Sequence, residues 1–192
     1  MAVEHWVDVL TSELVSAELP AVDPGWFVRP NGHDASRTIH GLRHALRVWV
    51  HAMELATAVG MQPWQRDALH YAALWHDIGR THDGADYYHG AKSAGRVVGL
   101  GLHLEPELDP LILETTLFMV THHCGDEGRA RQAADWLPEP VGGWDAFRVL
   151  KDADALDRVR LGRWDLDPSQ LRFDASHGRI ERAWEMWEAS GS

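Results

Sequence analysis

The sequence has little cysteine, few basic residues for its acidic content and no long apolar run. Its single cysteine, Cys124, excludes an intrachain disulfide and fits a reducing compartment. Apolar runs fall short of the roughly 18 residues that a membrane span needs, and residues 1–20 lack the basic and apolar parts of a signal peptide. We therefore expect a cytoplasmic protein without a membrane partner. The net charge of -11 argues against nucleic acid as the main partner, because a polyanion needs a basic surface.

The remaining composition is that of an ordinary globular protein with an excess of histidine and tryptophan. A length of 192 residues with 45% apolar content predicts one domain, residues 1–192, with a sizeable core. Apolar residues recur at helical spacing and no segment alternates with period two, so the sequence predicts an all-α fold. We interpret the ten tryptophans as core bulk, whereas the 13 histidines are the first indication of metal chemistry.

Proline, glycine and apolar periodicity divide the chain into helices and loops. Ser36 is the predicted N-cap of a long second helix, and residues 20–34 and 79–87 are predicted loops. The helices at the two ends are expected to flank the core of the domain. The predicted helices cover residues 2–19, 36–60, 63–79, 88–99, 107–123, 127–137, 144–161 and 176–189.

Three His-Asp pairs occur, and their contexts differ. His33-Asp34 lies in a loop rich in proline and glycine, and His82-Asp83 lies in a polar loop before a glycine, so both fit capping and turn chemistry. His76-Asp77 instead ends an apolar helical run. Polar groups beside a core-facing stretch need partners, and a metal ion binds neutral imidazole and ionised carboxylate. The sequence therefore favours His76-Asp77 as a metal-binding pair.

Two further segments carry candidate ligands. Upstream, His40, His44 and Arg47 are spaced i, i+4, i+7 and would share one helix face, although a surface stripe of basic residues explains that spacing equally well. Downstream, Asp152, Asp154 and Asp157 stand among leucine and alanine, where aspartate is a poor helix former. An exposed acidic face explains the spacing of Asp154 and Asp157. The face that Asp154 shares with Leu150 points it inward instead.

Taken in order, these segments resemble the HD-domain metal-dependent phosphohydrolases. The resemblance rests on His-x-x-Arg-Val, then His-Asp-Ile-Gly, then Asp-Ala-Asp-x-Leu-Asp, and it covers about residues 36–160. It implies a compact multi-helix bundle and hydrolysis of a small phosphorylated substrate, commonly a nucleotide. The metal ligands that it implies are His44, His76, Asp77 and Asp154.

Two of those ligands are chosen over a neighbour on the register of the resemblance. His44 is preferred to His40 because it stands three residues before Arg47-Val48. Asp154 is preferred to Asp152 because the ligand of the family precedes a small or basic residue and then leucine. Imidazole and carboxylate ligands fit Mn, Fe, Co, Ni or Zn, and with water also Mg.

The resemblance and the flanking polar residues suggest further roles. The expected catalytic residues are Asp77, His40 and Arg80. Arg47 could brace a carboxylate ligand instead of contacting the substrate. For Arg47, Arg80 and Lys92 alike, a solvated position on the surface is the simple alternative. The expected substrate contacts are Arg47, Lys92, His89 and His122.

The number of metal ions and the reaction stay open at this point. His89, His122 and His123 stand where two-metal members of the superfamily keep extra ligands, although caps or substrate contacts are favoured. With such ligands the alternative is a di-iron oxygenase of the HD type, and another alternative is a nucleotide-binding module without turnover. Cys124 is interpreted as a buried small residue, because one thiol makes no zinc-finger signature. Homodimer formation is also left open.

Overall fold

The computed structural model describes residues 22–28, 38–104 and 107–190. Within these ranges the chain is helical and contains no strand, apart from an isolated bridge between Leu104 and Glu107. The predicted all-α class is therefore confirmed. No helix in the described ranges is long and apolar enough to cross a membrane. The α-helices of these ranges are α1 (Leu42–Ala58), α2 (Pro63–Trp75), α3 (His89–Gly99), α4 (Pro110–His122), α5 (Glu127–Ala134), α6 (Pro140–Leu156), α7 (Asp174–His177) and α8 (Ile180–Ser190).

Helix α1 lies at the centre of the bundle. It packs against α2 and α6, α2 also packs against α4 and α6, and α3 covers α4. Most of α1 is buried, so its apolar residues face the core on several sides, as expected for an interior helix. This arrangement brings the ends of α2 and α4 and the C-terminal part of α6 toward the start of α1. The fully buried apolar residues of α1 are Ala45, Val48, Val50, Ala52, Leu55 and Ala56.

Local sequence signals fix several helix starts. Pro63 opens α2, and the side chain of Gln65 accepts a hydrogen bond from the backbone of Gln62 at 2.8 Å. Pro110 opens α4, and the Asp109 carboxylate accepts a hydrogen bond from the Leu111 N–H at 2.8 Å. Proline costs nothing at a first helical position because that N–H has no helical partner. The predicted helix start at Pro63 is therefore confirmed.

Other predicted boundaries are wrong or lie outside the described residues. The second helix begins at Leu42, since residues 38–41 form a turn, and its predicted N-cap Ser36 lies outside the described ranges. Helix α2 ends at Trp75, so residues 76–79 are a turn. The predicted helix over 144–161 runs from Pro140 to Leu156 and continues as a 3-10 helix, Asp157–Leu161. The predicted helix over 2–19 lies outside the described residues, and the last one is divided into α7 and α8.

Candidate metal centre

The turn after α2 carries the His-Asp pair into the interior. His76 and Asp77 are 0% and 4% exposed. The following Gly79 approaches α3 so closely that a Cβ at this position would lie 2.3 Å from the Ser93 nitrogen. The Gly79 N–H also donates to the Ser93 hydroxyl at 2.9 Å. The turn therefore packs closely against α3. The contact between the end of α2 and α3 sets the position of the Asp77 carboxylate.

His44 and His76 face each other across the start of this turn. Their Nε2 atoms are 3.0 Å apart. Nδ1 of His44 lies 2.7 Å from a carboxylate oxygen of Asp157, and Nδ1 of His76 lies 2.8 Å from the carbonyl oxygen of Ala73. Because these oxygens only accept, each Nδ1 carries the hydrogen and each Nε2 offers a lone pair. Two such lone pairs repel each other unless a cation, or a proton on one ring, lies between them.

Two carboxylates complete this group. Asp77 Oδ2 lies 3.3 Å and Asp154 Oδ1 lies 3.4 Å from Nε2 of His44. Burial lowers the pKa of His76 to about 3, so this ring stays neutral. Burial opposes ionisation of the two carboxyl groups, but the surrounding imidazoles outweigh it and hold the pKa of each below its usual value. We call His44, His76 and Asp154 the inner half of the centre.

Asp157 supports the inner half from behind. Its side chain is fully buried. Besides accepting from Nδ1 of His44, it accepts hydrogen bonds from Nε and Nη2 of Arg47 at 2.5 and 3.1 Å. The guanidinium of Arg47 also lies 5.1 Å from the ring centroid of Trp187. A carboxylate that binds the outer nitrogen of a ligand histidine fixes the orientation and tautomer of the ring, so Arg47 braces the centre.

The sequence analysis gave Asp157 no role and offered only an exposed acidic face as an alternative explanation of its spacing from Asp154. The signal available was its position one helical turn after Asp154, on the same side of the chain. Asp152, the neighbour rejected in favour of Asp154, is directed elsewhere. Its carboxylate accepts from the Arg172 N–H at 2.8 Å and from the Ser176 hydroxyl at 2.7 Å. Asp152 therefore anchors the C-terminal segment.

A second histidine pair lies on the other side of Asp77. Nε2 of His89, at the start of α3, is 2.7 Å from Nε2 of His123, at the end of α4. Asp77 Oδ1 lies 2.9 Å from Nε2 of His89 and 3.5 Å from Nε2 of His123. Nδ1 of His123 contacts the carbonyl oxygen of Val120 at 2.8 Å, which leaves the Nε2 lone pair free to bind a cation. The two oxygens of Asp77 thus face two separate pairs of histidines.

The electrostatics of this second pair also indicate a cation site. Burial disfavours the charged form of His89, but its contacts with Asp77 and Cys124 outweigh it and raise its pKa to about 10. A proton therefore occupies this half in the absence of another cation. Asp77 Oδ1 is buried, and no N–H among the described residues points at it in hydrogen-bonding geometry, although His89 is within ion-pair distance. We call His89, His123 and Cys124 the outer half.

A cleft of about 250 Å³ opens onto both halves. His40, in the turn before α1 and not on the helix as predicted, lines it with Nδ1 2.9 Å from Asp77 Oδ2. Arg80 is buried beside His89, with Nη1 2.8 Å from its Nδ1. The chain as a whole has a net charge of -11, so a concentration of cations here stands out. The cationic lining residues are Arg80, Lys151, Arg158 and Arg160.

Three of the four predicted substrate contacts lie outside this cleft: Arg47, which is buried against Asp157, and also Lys92 and His122. Lys92 is 48% exposed, and its ammonium group pairs with Asp86 at 2.7 Å. His122 lies against the Phe118 ring, at 5.2 Å between centroids, and does not line the cleft that His123 lines. It lines a neighbouring, more open pocket together with Tyr87 and other residues. Of the two adjacent histidines, His123 is therefore the one that joins the centre.

Comparison with known proteins adds no family to this geometry. The chain matches no protein-family model, no curated protein and no solved structure. The resemblance to HD-domain phosphohydrolases stays a prediction from the sequence. Buried and half-buried histidine, aspartate and cysteine side chains form several groups that could hold a metal ion.

Proposed function

We propose that the chain binds two divalent metal ions that share Asp77 and that it hydrolyses the phosphate ester of a small molecule. One observation carries the proposal: the two oxygens of a single buried carboxylate face two separate histidine pairs, with Nε2 atoms 3.0 and 2.7 Å apart. A bridging carboxylate of this kind is typical of two-metal hydrolytic sites. The proposal goes beyond the single ion expected from the sequence.

The residues present fit metal ions in both halves. The inner half offers two imidazole nitrogens and two carboxylate oxygens, and the outer half offers two imidazole nitrogens with Asp77 Oδ1. Such donors suit Mn, Fe, Co, Ni or Zn. The Oδ1 atom of Asp77 supports this proposal. It is buried, forms no hydrogen bond of good geometry within the described ranges and lies beside the imidazoles of His89 and His123, so a cation between these groups would satisfy it. When bound, the ions would polarise a phosphoryl oxygen and supply hydroxide near neutral pH.

The cations of the cleft favour a phosphate group as the substrate. Arg80 and Arg160 are both 8% exposed and held in place by hydrogen bonds to Gly84 and Ile39 carbonyl oxygens, at 3.0 and 2.8 Å. The ammonium of Lys151 is fixed by the carbonyl oxygen of His123 at 2.6 Å. Fixed cations beside a buried site bind an anion at little cost in conformational entropy. They would orient the phosphate against the centre.

His40 is placed to handle a proton. Its Nδ1 is engaged by Asp77, which leaves Nε2 as the nitrogen that can accept a proton from an attacking water. Burial lowers the pKa of His40. The ring is therefore neutral near pH 7 and available as a base. Arg160 Nη2 lies 3.2 Å from the same ring and helps to keep the imidazolium form unfavourable until a phosphate neutralises the guanidinium.

A panel of phosphate esters tests the proposal. Chelated protein is reloaded with Mn, Co, Ni or Mg and assayed for phosphate release, with nucleotides included as the substrates that the resemblance implies. We expect turnover that chelation abolishes and metal restores. Lys151→Ala should raise the KM, whereas Lys92→Ala, a cation outside the cleft, should not change it. Binding of two ions without hydrolysis of any ester would contradict the proposal.

The second histidine pair also favours an iron-dependent oxygenase as an alternative. His89 and His123 supply the additional ligands that such an enzyme needs. Loading the chelated protein with Fe²⁺ in air separates the two reactions. Oxygen consumption that depends on an added substrate, with no phosphate released in the same reaction, would favour the oxygenase over the hydrolase.

A further inference from the structure

The outer half contains a sulfur atom. Cys124 directly follows His123 and lines the same cleft as Asp77 and both outer histidines. Its Sγ and one nitrogen from each of His89 and His123 all lie within 4.8 Å of one another. The Gly90 N–H donates to Sγ at 3.3 Å, so the backbone at the start of α3 holds the sulfur next to the histidines.

We propose that Cys124 is a ligand, through Sγ, of the metal ion held by His89 and His123. This inference rests on the proposed function, because it needs an ion in the outer half. A second observation, besides the position of the thiol, supports this inference. Asp77 is 4% exposed, and its Oδ1, which faces this half, has no directed donor among the described residues. Two nitrogens, one sulfur and one carboxylate oxygen then form a four-donor set, the number that zinc prefers.

The sulfur would make the two halves select different ions. The inner half has only nitrogen and oxygen donors, which suit a wide range of divalent metals. A thiolate in the outer half favours Zn²⁺, Co²⁺ or Fe²⁺ over Mg²⁺ and Mn²⁺. On binding, the S–H bond breaks, the proton goes to water, and sulfur contacts the ion without any redox change. The N–H of Gly90 then stabilises the negative charge on sulfur.

The simpler interpretation is that Cys124 is a small residue that fills space. Its Sγ lies 3.5 Å from the carbonyl oxygen of Tyr87, to which a protonated thiol can donate. In that case sulfur would stay protonated and would never contact an ion. The two interpretations differ in the absorption of a bound metal and in the reactivity of the thiol.

Cobalt titration of chelated protein distinguishes them. Because the chain has one cysteine, any near-ultraviolet sulfur-to-cobalt charge-transfer band has one source. We expect this band to accompany the visible cobalt bands in the wild type and to vanish in Cys124→Ser. The variant should still bind cobalt in the inner half, with the outer ion at least about tenfold weaker. His122→Ala, on the other side of His123, is the matched control and should keep the band.

Thiol reactivity gives a second measurement on the unmodified chain. An aromatic disulfide reagent should react with one thiol in chelated protein, and saturating Zn²⁺ should slow that reaction at least about tenfold. Mg²⁺ should leave the rate unchanged, and equal protection by Mg²⁺ would mean occlusion instead of ligation and would overturn the inference. Two bound cobalt ions without the charge-transfer band would overturn it and leave the proposed function standing. Failure to bind cobalt at all would overturn both.

Discussion

The inner and outer halves of the centre share Asp77 but are built from different kinds of structure. The inner ligands lie at α1, at the turn after α2 and on α6, which pack together in the middle of the bundle. The outer histidines lie at the first residue of α3 and just past the end of α4. The inner half thus lies where α1, α2 and α6 pack together, and the outer half lies where the start of α3 meets the end of α4.

The groups that orient the ligand histidines also differ between the two halves. His44 is oriented by a buried carboxylate, Asp157, that is itself fixed by Arg47, 110 residues earlier in the chain. His123 is oriented by the carbonyl oxygen of Val120, only three residues away. The contact of His44 with Asp157 forms only when distant parts of the chain fold together. The contact of His123 with Val120 lies within one helix end and moves with it. We therefore expect the inner half to bind its ion more tightly and the outer half to exchange.

Removal of Asp77 should have the largest effect, because it serves both halves. Loss of one electrostatic group at a reaction centre costs about 10²–10³-fold in turnover, so for Asp77→Ala we expect at least that loss. Elemental analysis should show that both ions are lost. Asp83→Ala, in the exposed His82-Asp83 pair, is the matched control and should keep metal and turnover. Full turnover in Asp77→Ala would remove this site from consideration.

Asp157→Asn should weaken the inner half selectively. The change removes the buried carboxylate charge that the guanidinium of Arg47 contacts, and loss of one partner of a buried ion pair costs about 3–5 kcal/mol. It also loosens His44, and loss of such a support costs about 10–100-fold in metal affinity. We expect one tightly bound ion to become weak in equilibrium dialysis while thiol protection by Zn²⁺ in the outer half persists.

Asp152→Asn is the control for that experiment. Asp152 is as fully buried as Asp157 and is also paired with an arginine, Arg172 at 3.0 Å, but it touches no ligand. The Asp152→Asn substitution should lower the free energy of unfolding and leave the metal affinity unchanged. If both variants lose metal affinity equally, the effect comes from stability, and the assigned role of Asp157 is wrong.

Gly90→Ala should weaken the outer half selectively. A Cβ at Gly90 would lie 2.5 and 2.6 Å from the carbonyl oxygens of Thr121 and Val120. The methyl group should push α3 away from α4 and separate His89 from His123, at a cost of about 1–3 kcal/mol in stability. Metal analysis should then show one ion, held by the inner half, in place of two.

Gly95→Ala is the matched control on the same helix. A Cβ there meets nothing within 4 Å, so we expect a gain of about 0.5–1 kcal/mol from the better helix propensity of alanine. Both ions should remain bound. If Gly90→Ala keeps the outer ion, the two histidines are not positioned by the contact of α3 with α4.

The sequence predicted most of the helices because their signals are local. Apolar periodicity and the helix-opening proline Pro63 are signals that involve only neighbours within a few residues. The end of α2 was misplaced, since the His76–Gly79 turn depends on contact with α3, which no local pattern encodes.

The metal centre, like the helices, was predicted only in part from the sequence. The resemblance to HD-domain phosphohydrolases implied His44, His76, Asp77 and Asp154 as ligands, and the structure brings these four residues together. Asp157 could not be chosen, because its role depends on a partner far away in the chain. The choice between His122 and His123 also needed the structure, since the register at the end of α4 decides which ring faces Asp77.

The smallest effect on the metal centre is expected from a histidine farther along α1, the helix that carries His44. His51 lies two turns beyond His44 on α1, is fully buried, and has no hydrogen-bond partner for either ring nitrogen among the described residues. Burial lowers its pKa to about 3. The unfolded chain binds this proton near pH 6.5 and the folded chain does not, so stability is complete above that pH and falls as the pH drops from 6.5 toward 3.

His51→Met removes the ionisable group and puts an apolar side chain in its place. At pH 5 the unfavourable protonation of His51 is worth about 2 kcal/mol. Urea unfolding of both proteins with chelator present should therefore show a loss of stability between pH 7 and pH 5 that is about 2 kcal/mol smaller in the variant. From pH 7 to pH 8 the two curves should run parallel. An equal loss of stability between pH 7 and pH 5 in both proteins would mean that protonated His51 finds a partner in the folded chain. Burial would then not set the pKa of His51.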